Sequence, residues 1–172
     1  MFINQFWHGT ILDTISQFIS RHRSMIGIRA IILTIVIILK RKYWKFVVLS
    51  FALAVGLFYL VAELGFKTIV PQEIGIRPRP YVIHTEIQAI GKHYSDSSFP
   101  SSHVAVTVAL LTVLVILFPV LWPYAVLYAL LMIWSRMHNG MHYPSDVLAG
   151  AMIGIISWWL GVVLSKRVFR SE

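Results

Sequence analysis

The chain has 172 residues, of which 58% are hydrophobic and 13% are charged, and its mean hydropathy is +0.75. Soluble domains are roughly 45–50% apolar and about 25% charged, so this composition excludes an ordinary soluble domain and a disordered chain. The absence of cysteine excludes disulfide bonds and thiolate metal sites. The net charge of +8 does not indicate nucleic-acid binding, because the basic residues lie between apolar blocks rather than on a water-facing surface. We therefore expect an integral membrane protein with no nucleic-acid partner.

The chain opens with a segment, residues 1–20, in which apolar side chains recur near helical spacing and alternate with polar ones. This pattern predicts an amphipathic helix that lies on the membrane surface rather than through it. The segment lacks the continuous apolar core and small-residue cleavage site of a signal peptide. A sixth membrane crossing in this segment stays open as an alternative.

Longer apolar stretches follow, and a helix needs about 20 apolar residues to span roughly 30 Å of hydrocarbon. The stretch from Val104 to Trp134 has 31 residues. As one helix it would measure about 46 Å, which is too long for a single crossing. Pro119 and Pro123 at its centre predict two helices joined by a tight turn. The other predicted spans are Ser24–Leu39, Phe46–Phe66 and Val147–Leu164.

The predicted fold class is therefore all-α: a polytopic membrane helical bundle of about five transmembrane helices plus the N-terminal interfacial helix, in one domain of residues 1–172. Five crossings place residues 67–102 on the same side as the N-terminal segment. The opposite side carries a basic run between the first two spans and a basic C-terminal tail. The two sides carry nearly equal numbers of lysine and arginine, but several of those on the first side lie in the motifs described below. Without these the opposite side is the more basic, and short basic loops favour the cytoplasm, so we expect the loop of residues 67–102 to lie outside.

The last span carries Gly150 and Gly154, four residues apart. Small residues at this spacing let two helix backbones approach closely. We therefore expect tight packing of the last helix against a neighbour.

Polar groups are costly at membrane depth, and three clusters of them fall on the predicted outer side. The first is Arg77-Pro78-Arg79-Pro80, in which each proline biases the preceding arginine towards an extended conformation. Two guanidinium groups on a stiff segment suit a phosphate, since each can donate two parallel hydrogen bonds to its oxygens. A basic loop that touches lipid head groups explains these residues equally well.

The second cluster, residues 97–103, leads directly into the third span. Serine is a favoured helix cap, and the free amides and positive dipole end of a helix form an anion site. Ser101 and Ser102 are therefore candidates for phosphate contacts, although capping alone is the simpler explanation of both. His103 is either part of such a site or an interfacial histidine.

The third cluster runs from Ser135 to Asp146 and contains an Asn-Gly turn signal. Asp146 lies four residues after His142 and can reach back to hydrogen-bond its imidazole. Such a bond would leave the other ring nitrogen free to act as a nucleophile or a base. A metal site built from His138, His142 and Asp146 is a rival interpretation, which the turn between the two histidines disfavours.

Taken in order, these clusters resemble the signature of the type 2 phosphatidic acid phosphatase family, integral membrane enzymes that remove phosphate from lipids. The family pattern is a lysine, six residues and Arg-Pro; then Pro-Ser-Gly-His; then Ser-Arg, five residues, His, three residues and Asp. The third motif matches at every fixed position, from Ser135-Arg136 through His142 to Asp146.

The other two motifs match in part. The second has Ser102 where the family usually has glycine, and its remaining positions fit Pro100, Ser101 and His103. The first matches at Arg79-Pro80, but its lysine position falls on Gln72. Lys67, at the end of the second span, is the other candidate for that charge.

The resemblance implies a helical bundle with its active site at the outer face and a reaction that needs no metal or other cofactor. Carried over residue by residue, it makes His142 the nucleophile that forms a phosphohistidine. Asp146 would orient it, and His103 would protonate the departing lipid oxygen and then activate water. The phosphate-binding candidates are Arg79, Arg136, Ser101, Ser102 and Lys67.

The function we expect is a lipid phosphatase in a bacterial-type cytoplasmic (inner) membrane, with its active site facing the periplasm or outside. Undecaprenyl diphosphate, phosphatidylglycerophosphate, phosphatidate and lipid A 1-phosphate are all open as substrates. The expected partners are the bilayer and the lipid phosphate substrate, and no obligate protein partner is expected. A non-enzymatic membrane protein that binds anionic lipids or belongs to a transporter is the alternative. It explains the basic loops but not the combination of histidines, aspartate and arginines.

Overall fold

A computed structural model describes Asn4 and residues 9–170, and within these residues it contains helices and turns but no strand. The first two helices, α1 (Thr10–Ser20) and α2 (His22–Leu39), form a pair bent by 57°. The remaining helices are α3 (Trp44–Phe58), α4 (Val70–Ile74), α5 (Pro80–Ile83), α6 (Ser102–Leu117), α7 (Trp122–His138) and α8 (Pro144–Arg170). The predicted all-α membrane bundle is confirmed.

Three helical stretches are long and apolar enough to cross a membrane: 41–73, 119–138 and 144–169. The bent pair of α1 and α2 would make a fourth if it forms one span. The apolar α6, with 16 residues, is shorter and occupies the position of the third predicted span. All five predicted spans therefore correspond to apolar helices of the structure.

The second predicted span is longer in the structure than the hydropathy of the sequence indicated. From α3 the chain continues through π-helical turns, Tyr59–Ile69, directly into α4. It breaks only at Gly75, whose φ of 84° suits glycine. The predicted outer loop of residues 67–102 is therefore wrong at its first boundary, because Lys67 still lies on this helix.

The proline-rich centre of the long apolar stretch separates α6 from α7, as predicted. The chain leaves α6 at Phe118 and makes a short 3-10 turn, Pro119–Leu121, before α7 begins. The two helices therefore run in opposite directions. This returns the end of α7 to the level at which α6 begins.

Helix α8 packs closely against two neighbours through its glycines. A Cβ at Gly150 would collide with the backbone of Ser101, just before α6, and a Cβ at Gly154 would collide with that of Ala105 on α6. A Cβ at Gly161 would collide with the α3 backbone in the same way. The predicted close packing at Gly150 and Gly154 is confirmed, and it sets the first turns of α6 and α8 side by side.

The N-terminal helix α1 is amphipathic, but its polar face is the one turned towards the protein. Ile11 and Phe18 are 76% and 62% exposed, whereas Ser16 is fully buried. Part of the predicted interfacial segment, residues 1–3 and 5–8, lies outside the described residues. The described part presents apolar side chains outward, as a helix in contact with lipid does.

Candidate active site

One cavity of about 370 Å³ collects most of the polar residues that the three sequence clusters supplied. It lies where the helix after α3, the loop before α6 and the ends of α6 and α7 meet. Its cationic and titratable walls are formed by Arg29, Glu63, Lys67, Arg79, Asp96, His103, Arg136 and His142. Ser102, Tyr94 and the apolar side chains of Met25, Phe58 and Val106 complete the lining.

His142 is buried and held in one orientation. Its Nδ1 lies 2.8 Å from the carbonyl oxygen of Ser98. A carbonyl can only accept, so Nδ1 carries the proton and Nε2 is unprotonated. That Nε2 lies 3.4 Å from an Nη atom of Arg136. Burial, followed by the charges of Arg136 and Arg79, holds the pKa of His142 well below its ordinary value, so the imidazole is neutral.

Asp146 does not make the hydrogen bond to His142 that its spacing predicted. Its Oδ2 is 3.7 Å from Nδ1 of His142, which is too long for a hydrogen bond. Oδ2 instead accepts from the backbone N–H of Tyr143 at 2.8 Å, and Oδ1 accepts from Arg77 at 2.6 Å. The prediction fails because the carboxylate caps the first turn of its own helix and pairs with an arginine from a distant loop.

The two arginines of the first cluster separate. Arg79 is 3% exposed and enters the cavity wall, where it donates to Asp96 at 2.6 Å and to the carbonyl of Met141 at 3.1 Å. Arg77 points the other way, towards Asp146, with its guanidinium 4.6 Å above the ring of Tyr143. Of these two arginines, only Arg79 can therefore reach a phosphate in this cavity.

Lys67 lines the cavity, whereas Gln72 is exposed on α4 and does not. The ammonium group of Lys67 donates to Ser102 at 2.7 Å and lies 3.3 Å from carboxylate oxygens of both Glu63 and Asp96. Of the two candidates, Lys67 is therefore the one that places a cation at this cavity. The carboxylates that accompany it fix its position.

Asp96 is a residue of this site that the sequence motifs did not indicate. Its carboxylate bridges Lys67 and Arg79. Burial alone would raise the pKa of Asp96, but the hydrogen bond and charge of Arg79 and the charge of Lys67 outweigh it, so the pKa is lowered. Asp96 is therefore ionised and holds two cations of the cavity that also contains His142.

The two serines of the second cluster have different surroundings. Ser102, in the first turn of α6, lines the cavity and bonds to both Lys67 and Glu63. Ser101 does not line it: the side chain is fully buried, and the backbone N–H donates to the carbonyl of Asp146 at 3.0 Å. Ser101 faces α8, where Gly150 leaves room for it, so the structure does not bring this residue to the cavity wall and its predicted phosphate contact stays a prediction.

Helix α1 anchors the turn that leads to His142, which sequence reasoning missed. An oxygen of Asp13 lies 2.8 Å from Nε2 of His138. The amide of Asn139 accepts from Ser16 at 2.7 Å and donates to Ser20 at 2.8 Å. The spacing of Asp13, Ser16 and Ser20 on one helix face was the available signal for this contact.

Comparisons with known proteins agree with this arrangement. A family model described as "PAP2 superfamily" matches residues 57–170. The chain is 31% identical over 156 residues to the undecaprenyl-diphosphatase BcrC of Bacillus subtilis (strain 168), covering 89% of this chain and 75% of the relative. The fold is similar to the crystal structure of Aquifex aeolicus LpxE, with a TM-score of 0.64, 22% identity and coverage of 93% of this chain and 90% of that one. The chain belongs to the PAP2 superfamily, the type 2 phosphatidic acid phosphatases, and is a membrane phosphatase of that family.

Proposed function

We propose that this protein hydrolyses the terminal phosphate of lipid mono- or diphosphates through a phosphohistidine on His142. One observation carries the proposal: a single cavity holds a neutral, oriented imidazole, a second histidine and four cations beside an apolar wall. Phosphoryl transfer requires positioning and charge stabilisation more than any other contribution. The cavity supplies both.

The proposed reaction has two steps. In the first, Nε2 of His142 attacks phosphorus, the phosphorus–oxygen bond to the lipid breaks, and His103 donates a proton to the departing oxygen. In the second, His103 takes a proton from water while the water oxygen attacks phosphorus. The bond between phosphorus and Nε2 then breaks, which releases inorganic phosphate and leaves His142 neutral. The carbonyl of Ser98 holds the Nδ1 proton throughout. Asp146 acts as a positioning residue through Arg77 and the first turn of α8.

The phosphate oxygens are proposed to bind Arg79, Arg136 and Lys67. These cations also support a reaction without a metal ion. The carboxylates of the cavity, Glu63 and Asp96, are already paired with Lys67 or Arg79. Among the described residues, no group of three or more histidine or acidic side chains is arranged to hold a metal ion.

The substrate is proposed to be a lipid with a terminal phosphoryl group. Met25, Phe58 and Val106 give the cavity an apolar wall along which a hydrocarbon chain can lie. Undecaprenyl diphosphate, on which the Bacillus relative is named to act, is the first compound to test. Phosphatidylglycerophosphate, phosphatidate and lipid A 1-phosphate share the same terminal group.

We place the protein in a cytoplasmic (inner) membrane with the cavity facing the periplasm or outside. The support is the charge at the two ends of the bundle. Lys40 lies against Phe118, and Phe46 lies against Phe169, so the basic loop after α2 and the basic tail of α8 meet at the end opposite to the cavity. Such basic segments favour the cytoplasm.

The test is phosphate release from these lipids by purified wild-type protein and by His142→Ala, with His93→Ala as the matched control. His93 is exposed and lines neither the site nor its apolar wall. Brief exposure of the wild type to labelled substrate should produce an acid-labile phosphoprotein. We expect His142→Ala to abolish both this phosphoprotein and the release of phosphate. His93→Ala and the presence of EDTA should leave both unchanged.

Three results would contradict parts of the proposal. Unaltered turnover in His142→Ala removes the assigned nucleophile. Loss of activity in EDTA that added metal restores removes the metal-free reaction. Binding of all these lipids by the wild-type protein without any phosphate release would favour the non-enzymatic lipid-binding alternative.

A further inference from the structure

A second cavity, of about 590 Å³, lies between the junction of α1 with α2 and the loop before α6. Its lining includes Arg136 and three further cations, Arg21, Arg23 and Lys92. All three are exposed, and no aspartate or glutamate is among its lining residues. Within the described part of the chain, none of the three belongs to a salt bridge with a carboxylate. The cavity therefore presents uncompensated positive charge.

This basic cavity adjoins the catalytic one. Tyr94 and Arg136 line both. Arg136 is 4% exposed, and its Nε has no hydrogen-bond partner among the described residues. A buried guanidinium nitrogen without a partner is costly, and a phosphate oxygen would satisfy it. On its other side, the same guanidinium lies 3.4 Å from the nucleophilic Nε2 of His142.

We propose that the basic cavity is a second oxyanion site, which binds a phosphate group other than the one attacked by His142. This inference rests on the proposed function, because it presumes that a phosphoryl group occupies the catalytic cavity. The ligand comes from one of two sources with the same chemistry. It is either the second phosphate of a lipid diphosphate head group or the inorganic phosphate that leaves towards water.

The test removes the three charges together in Arg21→Gln/Arg23→Gln/Lys92→Gln. None of these residues lines the catalytic cavity. The matched control is Lys45→Gln/Lys166→Gln/Arg167→Gln, which removes the same charge from exposed positions at the opposite end of the bundle. Both variants are assayed on a prenyl diphosphate and on the prenyl monophosphate of equal chain length, with and without added inorganic phosphate.

Two outcomes support the site and identify its ligand. If it holds the second phosphate of a head group, kcat/KM for the diphosphate falls about tenfold while that for the monophosphate is unchanged. If it holds the leaving phosphate, both initial rates are unchanged, but inhibition by inorganic phosphate requires about tenfold more phosphate. In either case the control triple variant behaves as the wild type.

Two outcomes overturn it: no change in any of these quantities, or an equal fall for both substrates with unchanged phosphate inhibition. If the triple variant does not fold, Lys92→Gln alone is assayed in the same way, because Lys92 lies in a loop. We expect the same changes in kcat/KM or in phosphate inhibition, but proportionally smaller.

Binding of inorganic pyrophosphate by titration calorimetry separates this inference from the proposed function, because binding needs no turnover. We expect the triple variant to bind pyrophosphate about tenfold more weakly than the wild type and the control. That result without any phosphate release would leave the oxyanion site standing and remove the hydrolase. Equal binding by all three proteins would overturn the oxyanion site even if the wild type is active.

Discussion

Two buried polar clusters lie at the same end of the bundle, and they differ in how completely their hydrogen bonds are satisfied. Where α1 meets the end of α7, Asn139 uses both ends of its amide, on Ser16 and Ser20. In the catalytic cavity, the Nε atoms of Arg79 and Arg136 are buried without a partner among the described residues. Native proteins satisfy nearly all buried polar groups. The contrast therefore separates a cluster that stabilises the fold from one that, under the proposed function, an oxyanion completes.

The largest expected effect tests the catalytic side of this comparison. Arg136→Gln should lower kcat by about 10²–10³-fold, the range seen when one transition-state donor is removed. Its thermal unfolding temperature should be unchanged or higher, because the variant loses an uncompensated buried cation. Initial rates and unfolding in the same detergent measure both quantities.

Arg167→Gln, at the exposed far end of α8, is the control for the loss of one arginine. A marked fall in the unfolding temperature of Arg136→Gln, with activity lost in proportion, would show that this guanidinium stabilises the fold rather than binding phosphate.

The next effect concerns Asp146. The sequence predicts that it hydrogen-bonds His142, whereas the structure pairs it with Arg77. We expect a coupling free energy of about 1–2 kcal/mol between Asp146→Asn and Arg77→Gln in unfolding. This is less than a buried ion pair would give, because the Arg77 side chain is 41% exposed and solvent screens its charge. A double-mutant cycle measures this coupling. The cycle of Asp146→Asn with Lys166→Gln should be additive, and coupling no larger than in that control would exclude the pair.

Asn139→Ala tests the cluster in which Asn139 hydrogen-bonds Ser16 and Ser20. We expect it to affect stability more than activity. We expect the free energy of unfolding to fall by about 1 kcal/mol. The cost is limited because Ser16 and Ser20 also donate to backbone carbonyls of α1, at 3.0 and 2.8 Å. Chemical unfolding measures it against Gln72→Ala, an exposed position. A loss of kcat as large as that of Arg136→Gln, without loss of stability, would place Asn139 in the catalytic machinery.

The spacing of short motifs predicted which side chains share the cavity, because catalytic residues of fixed type follow a helix end at fixed intervals. It indicated His103, His142, Arg79 and Arg136, and hydropathy with proline indicated the helices around them. Lys67 emerged only as one of two candidates, since the sequence does not show that the second span continues past the predicted helix end through π-helical turns.

Other features have no signature in the side chains. The acceptor that fixes the His142 tautomer is the backbone carbonyl of Ser98, and any residue has such a group. Ser101 faces α8 instead of the cavity because of where Gly150 falls on a helix far along the chain. Asp96 meets Lys67 and Arg79 only through tertiary packing. These contacts follow from the fold, and motif spacing alone does not specify them.

The smallest expected effect is a change in the pKa of His142. It tests the comparison because the uncompensated charges of the cavity act on this neighbouring imidazole. Burial and the cations Arg136 and Arg79 lower the pKa of His142. An unperturbed histidine has a pKa of about 6.5, so His142 should stay neutral at that pH and take up a proton only at lower pH. Arg136→Gln removes one repelling charge and should move its pKa upward, towards the ordinary value.

Nitrogen NMR of the free protein, with His142→Ala to assign the signal, follows this titration without interference from the ionisation of a substrate phosphate. The same shift has a thermodynamic consequence. As pH falls through the ordinary histidine range, the unfolded chain binds a proton that folded His142 does not, so the stability present above that range is progressively lost. A wild-type titration at the ordinary value, or no upward movement in Arg136→Gln, would mean that the cations of the cavity are already neutralised. The contrast between the two clusters would then fail.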